Sequence, residues 1–202
     1  MFKKEDRRQE TGDRITASRR QALKTIAAAV MAGPMSLEAA QAVHATANDI
    51  KAAGAYKPKG LNQHEFDTLK VLCEMIVPGA SKGGAAEFID LLSSQNPEMA
   101  AIYTGGLAWL DRAMERATKK PFLTATAEDQ KSMLDTIAYR KNRTAELAAG
   151  IRFFDWARRM TVDAYYTSAA GIKEVGYLGN RGMREFKVPQ EAIDYAVNRA
   201  KI

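Results

Sequence analysis

A chain of 202 residues with 46% hydrophobic and 27% charged side chains has the composition of one globular domain with extensions, which excludes disorder throughout. Its formal charge of +6 is unevenly spread: residues 1–42 hold 8 Lys/Arg against 5 Asp/Glu, leaving 22 against 19 for the remainder. That balance lacks the clustered basic face of a nucleic-acid binder. No stretch gives ~18 uninterrupted apolar residues, which excludes a transmembrane helix, and a single cysteine excludes an internal disulfide.

Residues 1–42 read as an address rather than as fold. A charged region ends in Ser18-Arg19-Arg20-Gln21-Ala22-Leu23-Lys24, a mild apolar run Ile26–Ala32 follows, and Gly33-Pro34 closes it. Ala40-Gln41-Ala42 then offers small residues at alternate positions, as a signal peptidase requires. The order resembles a twin-arginine signal with Arg19 and Arg20 as its pair, departing at Ala22, where Phe is favoured. An amphipathic helix with a chance Arg-Arg would share the dipeptide but not the ordered sequence of regions. Twin-arginine export carries folded, usually cofactor-loaded proteins, and the expected destination is the periplasm.

Residues 43–60 are expected to be a polar tether, and 61–202 a helical domain. Asn62 with Glu65 three residues on has the form of a helix cap. Phe66, Leu69, Leu72, Cys73, Ile76 and Val77 recur at helical spacing until Pro78-Gly79. A short helix is predicted over about 85–94, with Phe88, Leu91 and Leu92 inward. Asn96-Pro97-Glu98 opens the next, through Ile102, Leu107, Leu110 and Met114, with Gly105-Gly106 as its weak point. Thr126 with Asp129 opens another, carrying Met133, Leu134 and Ile137.

The longest helix is predicted from about Thr144 to Tyr166, with Arg152, Asp155, Arg159 and Asp163 on a narrow polar strip. Its apolar residues, from Leu147 to Val162 and including Trp156, spread over roughly 240° at 100° per residue, more than a surface helix needs. It is therefore either central to the bundle or shared with another protein. Residues 165–188 turn rich in Tyr, Gly and Ser, and Val188-Pro189 begins a last helix. The fold class is all-α.

The residues that could do chemistry are few. Haem attachment needs two cysteines and structural zinc four Cys/His ligands, whereas the chain has Cys73, His44 and His64. Cys73 falls on an apolar helix face, as a buried hydrophobe would. His64 falls in the first turn of a helix on its polar side, as a surface histidine, and the Asp111/Glu115 pair, alternating with Arg112 and Arg116, belongs to a solvated face. Gly83-Gly84 and Gly176-x-x-Gly179 lack the preceding strand of a phosphate cradle and read as turns. No catalytic, cofactor-binding or metal-binding residue is predicted.

Three segments carry a resemblance. They are LNQHEFDTLKVLCEMIVP with EFIDLL, then GLAWLDRAMERATKKPFLTATAEDQKSMLDTIA, and most specifically FFDWARRMTVDAYYTSAAGIKEVGYLGN. Over roughly residues 61–185 the chain resembles the gluconate 2-dehydrogenase subunit 3 family, small subunits of FAD-dependent glucose–methanol–choline dehydrogenases. GLAWLD and Ser168–Ile172 are also similar to small subunits of glycoside 3-dehydrogenases. After Pro78 the chain departs, with a short basic GASKGG where the family often has a longer Asp-rich loop.

The resemblance implies a division of labour. FAD and the catalytic histidines sit in a large subunit, a cytochrome c with haem c often takes the electrons, and the small subunit supplies the export signal for both. Membrane association would then be indirect, at the periplasmic face of the inner membrane. Tyr165, Tyr166, Ser168, Gly176, Tyr177, Gly179 and Asn180 are expected to lie against the large subunit, because tyrosine buries area at low rotamer cost and glycine permits close approach. The alternatives are packing of that segment on the chain's own long helix and, for the whole protein, a free-standing periplasmic binding or chaperone-like module.

Overall fold

The short segment Ala85–Ser93 is apolar on most of its circumference, Glu87 and Asp90 being its two acids, and a helix of that kind belongs inside a core. The computed structural model, which describes residues 3–177 and 188–200, places it there. In chain order the helices are α1 (Lys3–Ala32), α2 (Leu37–Ala52), α3 (Gln63–Ile76), α4 (Ala85–Ser93), α5 (Pro97–Thr118), α6 (Ala127–Ile137), α7 (Ala148–Tyr166), α8 (Ala169–Glu174) and α9 (Gln190–Ala200). No strand occurs among the described residues, and the fold is all-α. No described helix is long and apolar enough to cross a membrane.

Helix α4 is the axis, with α1, α2, α3, α5 and α7 packed around it. Helix α7 lies along both α4 and α5, and α8 folds back on its end. Where the sequence offers α7 as the central helix, the short α4 holds that place. Phe88, Ile89, Leu92, Leu69, Leu72, Tyr103, Leu107 and Met160 fill one continuous apolar core.

Local chemistry explains most helix starts. Asn62 and Glu65 exchange side chain-to-backbone bonds of 2.9 Å each, a complete capping box. Asn96 accepts from the Met99 amide with Pro97 in the first turn, and Thr126 accepts from that of Asp129. Glu74 closes the GASKGG loop by accepting from the Gly79 and Ser81 amides at 2.7 and 2.9 Å. Those bonds hold its carboxyl below its usual range.

The α5–α7 crossing depends on two glycines. A Cβ on Gly106 would lie 2.0 Å from the Phe153 ring, and one on Gly150 would lie 2.2 Å from Trp109. Helices α5 and α7 therefore cross with an aromatic ring from each seated on a glycine of the other.

The predicted tether is corrected over its first part. Residues 43–52 are the second half of α2, which Ser36 caps by accepting from the Ala39 amide. Val43 and Ala47 point into the core, because Ala40, Val43 and Ala47 recur at helical spacing. The remaining link is pinned. Buried Asp90 accepts from the Lys59, Gly60 and Leu61 amides at 2.7, 2.9 and 2.9 Å, and from the Tyr56 hydroxyl at 2.8 Å. A Cβ on Gly60 would lie 2.6 Å from the Ser94 amide nitrogen and 2.9 Å from the Asp90 carbonyl at the end of α4, so only glycine lets the link come this close.

Helix α7 begins at Ala148 rather than Thr144, because the Thr144 side chain accepts from the Leu147 amide in a preceding turn. Asp111 is also corrected. It accepts from the Phe122 amide at 2.9 Å and lies 2.7 Å from His64 Nε2, tying α5 to the 3-10 turn Phe122–Thr124 and to α3.

Candidate partner-binding surface

The titratable groups inside the fold serve packing. Cys73 is buried with Thr161 Oγ1 at 3.3 Å from its sulfur, and burial pushes its thiol up to about 12, far from the reactive range. Among the described residues no three His, Cys, Asp or Glu side chains stand close enough to hold a metal ion.

His44 lies against the Phe88 ring at 4.8 Å, with Nε2 3.2 Å from Thr167 Oγ1. Burial, and more weakly the Lys51 cation, keep its imidazole below the usual value of 6.5. As pH falls through 6.5 the unfolded chain therefore takes up a proton that the folded chain resists. The His44 contribution to stability is full above that pH and is lost below it. His44→Gln is expected to flatten the fall in melting temperature between about pH 7.5 and about pH 5. A profile unchanged by the substitution would contradict this role.

The solvent side of α7 carries Arg152, Asp155, Trp156, Arg159, Val162, Asp163 and Tyr166 within an arc of about 120°. Trp156 and Val162, grouped by sequence with the apolar arc, thus belong to this outer strip; Val162 is exposed and Trp156 half-buried. Ile151, Phe153, Phe154 and Met160 do face the core.

Asp155 binds Arg140 and Arg158 at 2.9 and 3.1 Å, and Arg159 stacks over Trp156 at 4.3 Å. Burial lifts the Asp163 carboxyl above its usual range, with Arg159 pulling the other way. These side chains line an open cleft of about 480 Å³. Through Trp156 it meets a smaller groove of about 290 Å³ over Gly105, Gly106 and Trp109.

The predicted interface residues divide into two groups. Tyr165 is buried: its ring lies against Gly79 and Gly83 and its hydroxyl donates to Glu174. Ser168 is buried as the cap of α8, accepting from the Gly171 amide. For these two the alternative of internal packing describes their placement. Tyr166 and Tyr177 are exposed, and Gly176 takes a left-handed φ of 64° that turns the chain after α8. Gly179 and Asn180 lie outside the described residues. Helix α9 adds exposed Ile193 and Val197 one turn apart.

Sequence reasoning missed the role of Asp90 and the membership of Trp156 and Val162 in the predicted polar strip of α7. The signal for the first is an acid at position 90, flanked by Phe88, Ile89, Leu91 and Leu92 in a short apolar helix. For the second it is Trp156, one turn from Arg152 and Arg159 on the polar side.

A surface of half-buried tryptophan, exposed tyrosine and arginine has the composition of a protein interface. The family model for gluconate 2-dehydrogenase subunit 3 matches residues 63–183, more than half of the chain. The chain belongs to the gluconate 2-dehydrogenase subunit 3 family. No curated protein and no solved structure matches it. The match runs from the first turn of α3 past α8, so the α4 axis and the α7 strip fall within the family region. The family name denotes one subunit of a dehydrogenase complex, an accessory role alongside other subunits.

Proposed function

We propose that this protein is the non-catalytic small subunit that binds and stabilises an FAD-dependent sugar or sugar-acid dehydrogenase of the glucose–methanol–choline type. In this reading it also escorts that subunit to the periplasm by the twin-arginine route. The observation that carries the proposal is the family match over residues 63–183.

The outer strip of α7 supports it, since Trp156, Arg159 and Tyr166 are residue types that anchor interfaces. FAD and the catalytic groups would belong to the large subunit, and a cytochrome c subunit with haem c would receive the electrons. Contact with the membrane would be indirect, at the periplasmic face through those subunits. Residues 1–42 would supply the only address for two folded chains, with Arg19 and Arg20 as its recognition pair.

Replacing that pair tests the escort. Arg19→Lys with Arg20→Lys is expected to hold both the small subunit and the dehydrogenase in the cytoplasm, lowering periplasmic activity by about tenfold or more. Cell fractionation with an activity assay reads the outcome. Normal periplasmic dehydrogenase activity in the double variant would overturn it.

A further inference from the structure

Helix α1 does not hang from the body; its last three turns are seated in it. Leu23, Ala27 and Val30, spaced to fall on one helical face, are 7%, 0% and 1% exposed and belong to the same core as α4. Helix α1 packs on α4 and α2. Its C-terminal end is held by side chains from elsewhere in the chain. Arg159 of α7 donates to the Val30 carbonyl at 2.6 Å, and the Asn96 amide reaches the Ala27 carbonyl at 3.4 Å. Carbonyls in a helix's last turn lack intrahelical donors, and a cation there also meets the negative end of the helix dipole. The seat thus has a definite chemistry: an apolar trough for a small-residue helix face, ending in a guanidinium.

We propose that this seat is a binding site for the chain's own residues 23–32, which in the free folded subunit holds the apolar run of the twin-arginine segment as packed helix while Arg19 and Arg20 stay exposed. Arg19 is bound to Asp49 of α2 at 2.9 Å, and the apolar run lies against α4. Ala40-Gln41-Ala42 sits inside α2 with Ala40 fully buried, so a peptidase that reads extended chain meets a packed helix. Once α1 lifts it loses the packing that sustains a helix of this length, and the address becomes a pliable segment. Lifting also frees Arg159 and uncovers the trough.

The biological consequence rests on the export reading above, but the seat itself can be tested without it. Trypsin is applied to the full chain, with residues 1–42 unaltered, and cleavage after exposed Lys24 is compared with cleavage after exposed Lys70 in α3. In the native chain Lys24 is expected to be cut about 100-fold more slowly than in a synthetic peptide of residues 13–36, since cleavage tracks the open population. Arg159→Ala is expected to speed cleavage at Lys24 about fivefold or more while leaving Lys70 unchanged, and Arg159→Lys to restore part of the protection.

Cleavage at Lys24 as fast as in the free peptide would overturn the seat. So would an unchanged rate in Arg159→Ala, or a parallel rise at Lys70. If export needs Arg19 and Arg20 but Lys24 is cut freely, the seat fails and the export reading stands. If Lys24 is protected but the double-lysine variant is exported normally, the seat stands and the export reading fails.

Discussion

Asp90→Ala is expected to destabilise the chain by about 4 kcal/mol, because hydrogen bonds to a charged acceptor are worth about 1.5–3 kcal/mol each and four would be lost together. The amides of Lys59, Gly60 and Leu61 and the Tyr56 hydroxyl would face a methyl group in the middle of the fold. Water can re-enter part of the site, which keeps the total below the simple sum. For a domain of this size the melting temperature should fall by about 10 °C. Tyr56→Phe removes one donor and leaves the carboxylate three amides, so it should cost only about 1 kcal/mol. Thermal or urea unfolding of the two variants measures both. An Asp90→Ala protein that melts with the wild type would show that the 53–61 link is not held by this carboxylate.

The second large effect is a change of sign between adjacent glycines. Gly106→Ala places a methyl where the Phe153 ring already stands, at 2.0 Å, and neither the ring nor the two helix backbones can withdraw without opening the α5–α7 crossing. Overpacking of this kind costs about 1–3 kcal/mol, and the better helix propensity of alanine returns at most about 1 kcal/mol of it. A net loss of about 1–2 kcal/mol is expected. Gly105 meets no atom within 4 Å, so Gly105→Ala keeps the propensity gain alone and should stabilise by about 0.5–1 kcal/mol. Equal effects at the two positions in chemical unfolding would contradict the ring-on-glycine crossing.

The two sites also show what is legible in such a sequence. Asn62 with Glu65, Asn96 with Pro97, and Thr126 with Asp129 act within one helical turn, so residue identity alone locates three helix starts. The apolar faces of α3 and α5 follow from spacing in the same way. Asp90 is different: its four donors come from residues 56–61, and only the folded path of the chain brings that link to α4. Helix α2 is hidden for another reason. Its buried face is built from Ala40, Val43 and Ala47, side chains too small to distinguish a packed helix from an alanine-rich leader and tether.

Tyr165 and Tyr166 are neighbours in sequence with opposite fates, because successive residues on a helix point about 100° apart. One fills the space above Gly79 and Gly83, and the other faces solvent. Composition marks the segment as aromatic; register decides which ring is free to meet another chain.

The central claim, that this subunit serves a flavoprotein dehydrogenase, is tested most directly by purifying the tagged full chain from its own cells. The absorbance spectrum, sugar-dependent dye reduction and mass of the complex are then measured. The account predicts a stable heteromer whose large subunit carries the flavin and all of the activity. In the doubly substituted Tyr166→Ala, Tyr177→Ala subunit, complex formation should weaken by about 2 kcal/mol or more per anchor while its own melting temperature stays nearly unchanged. A monomer free of flavoprotein, or sugar oxidation by the small subunit alone, would contradict it.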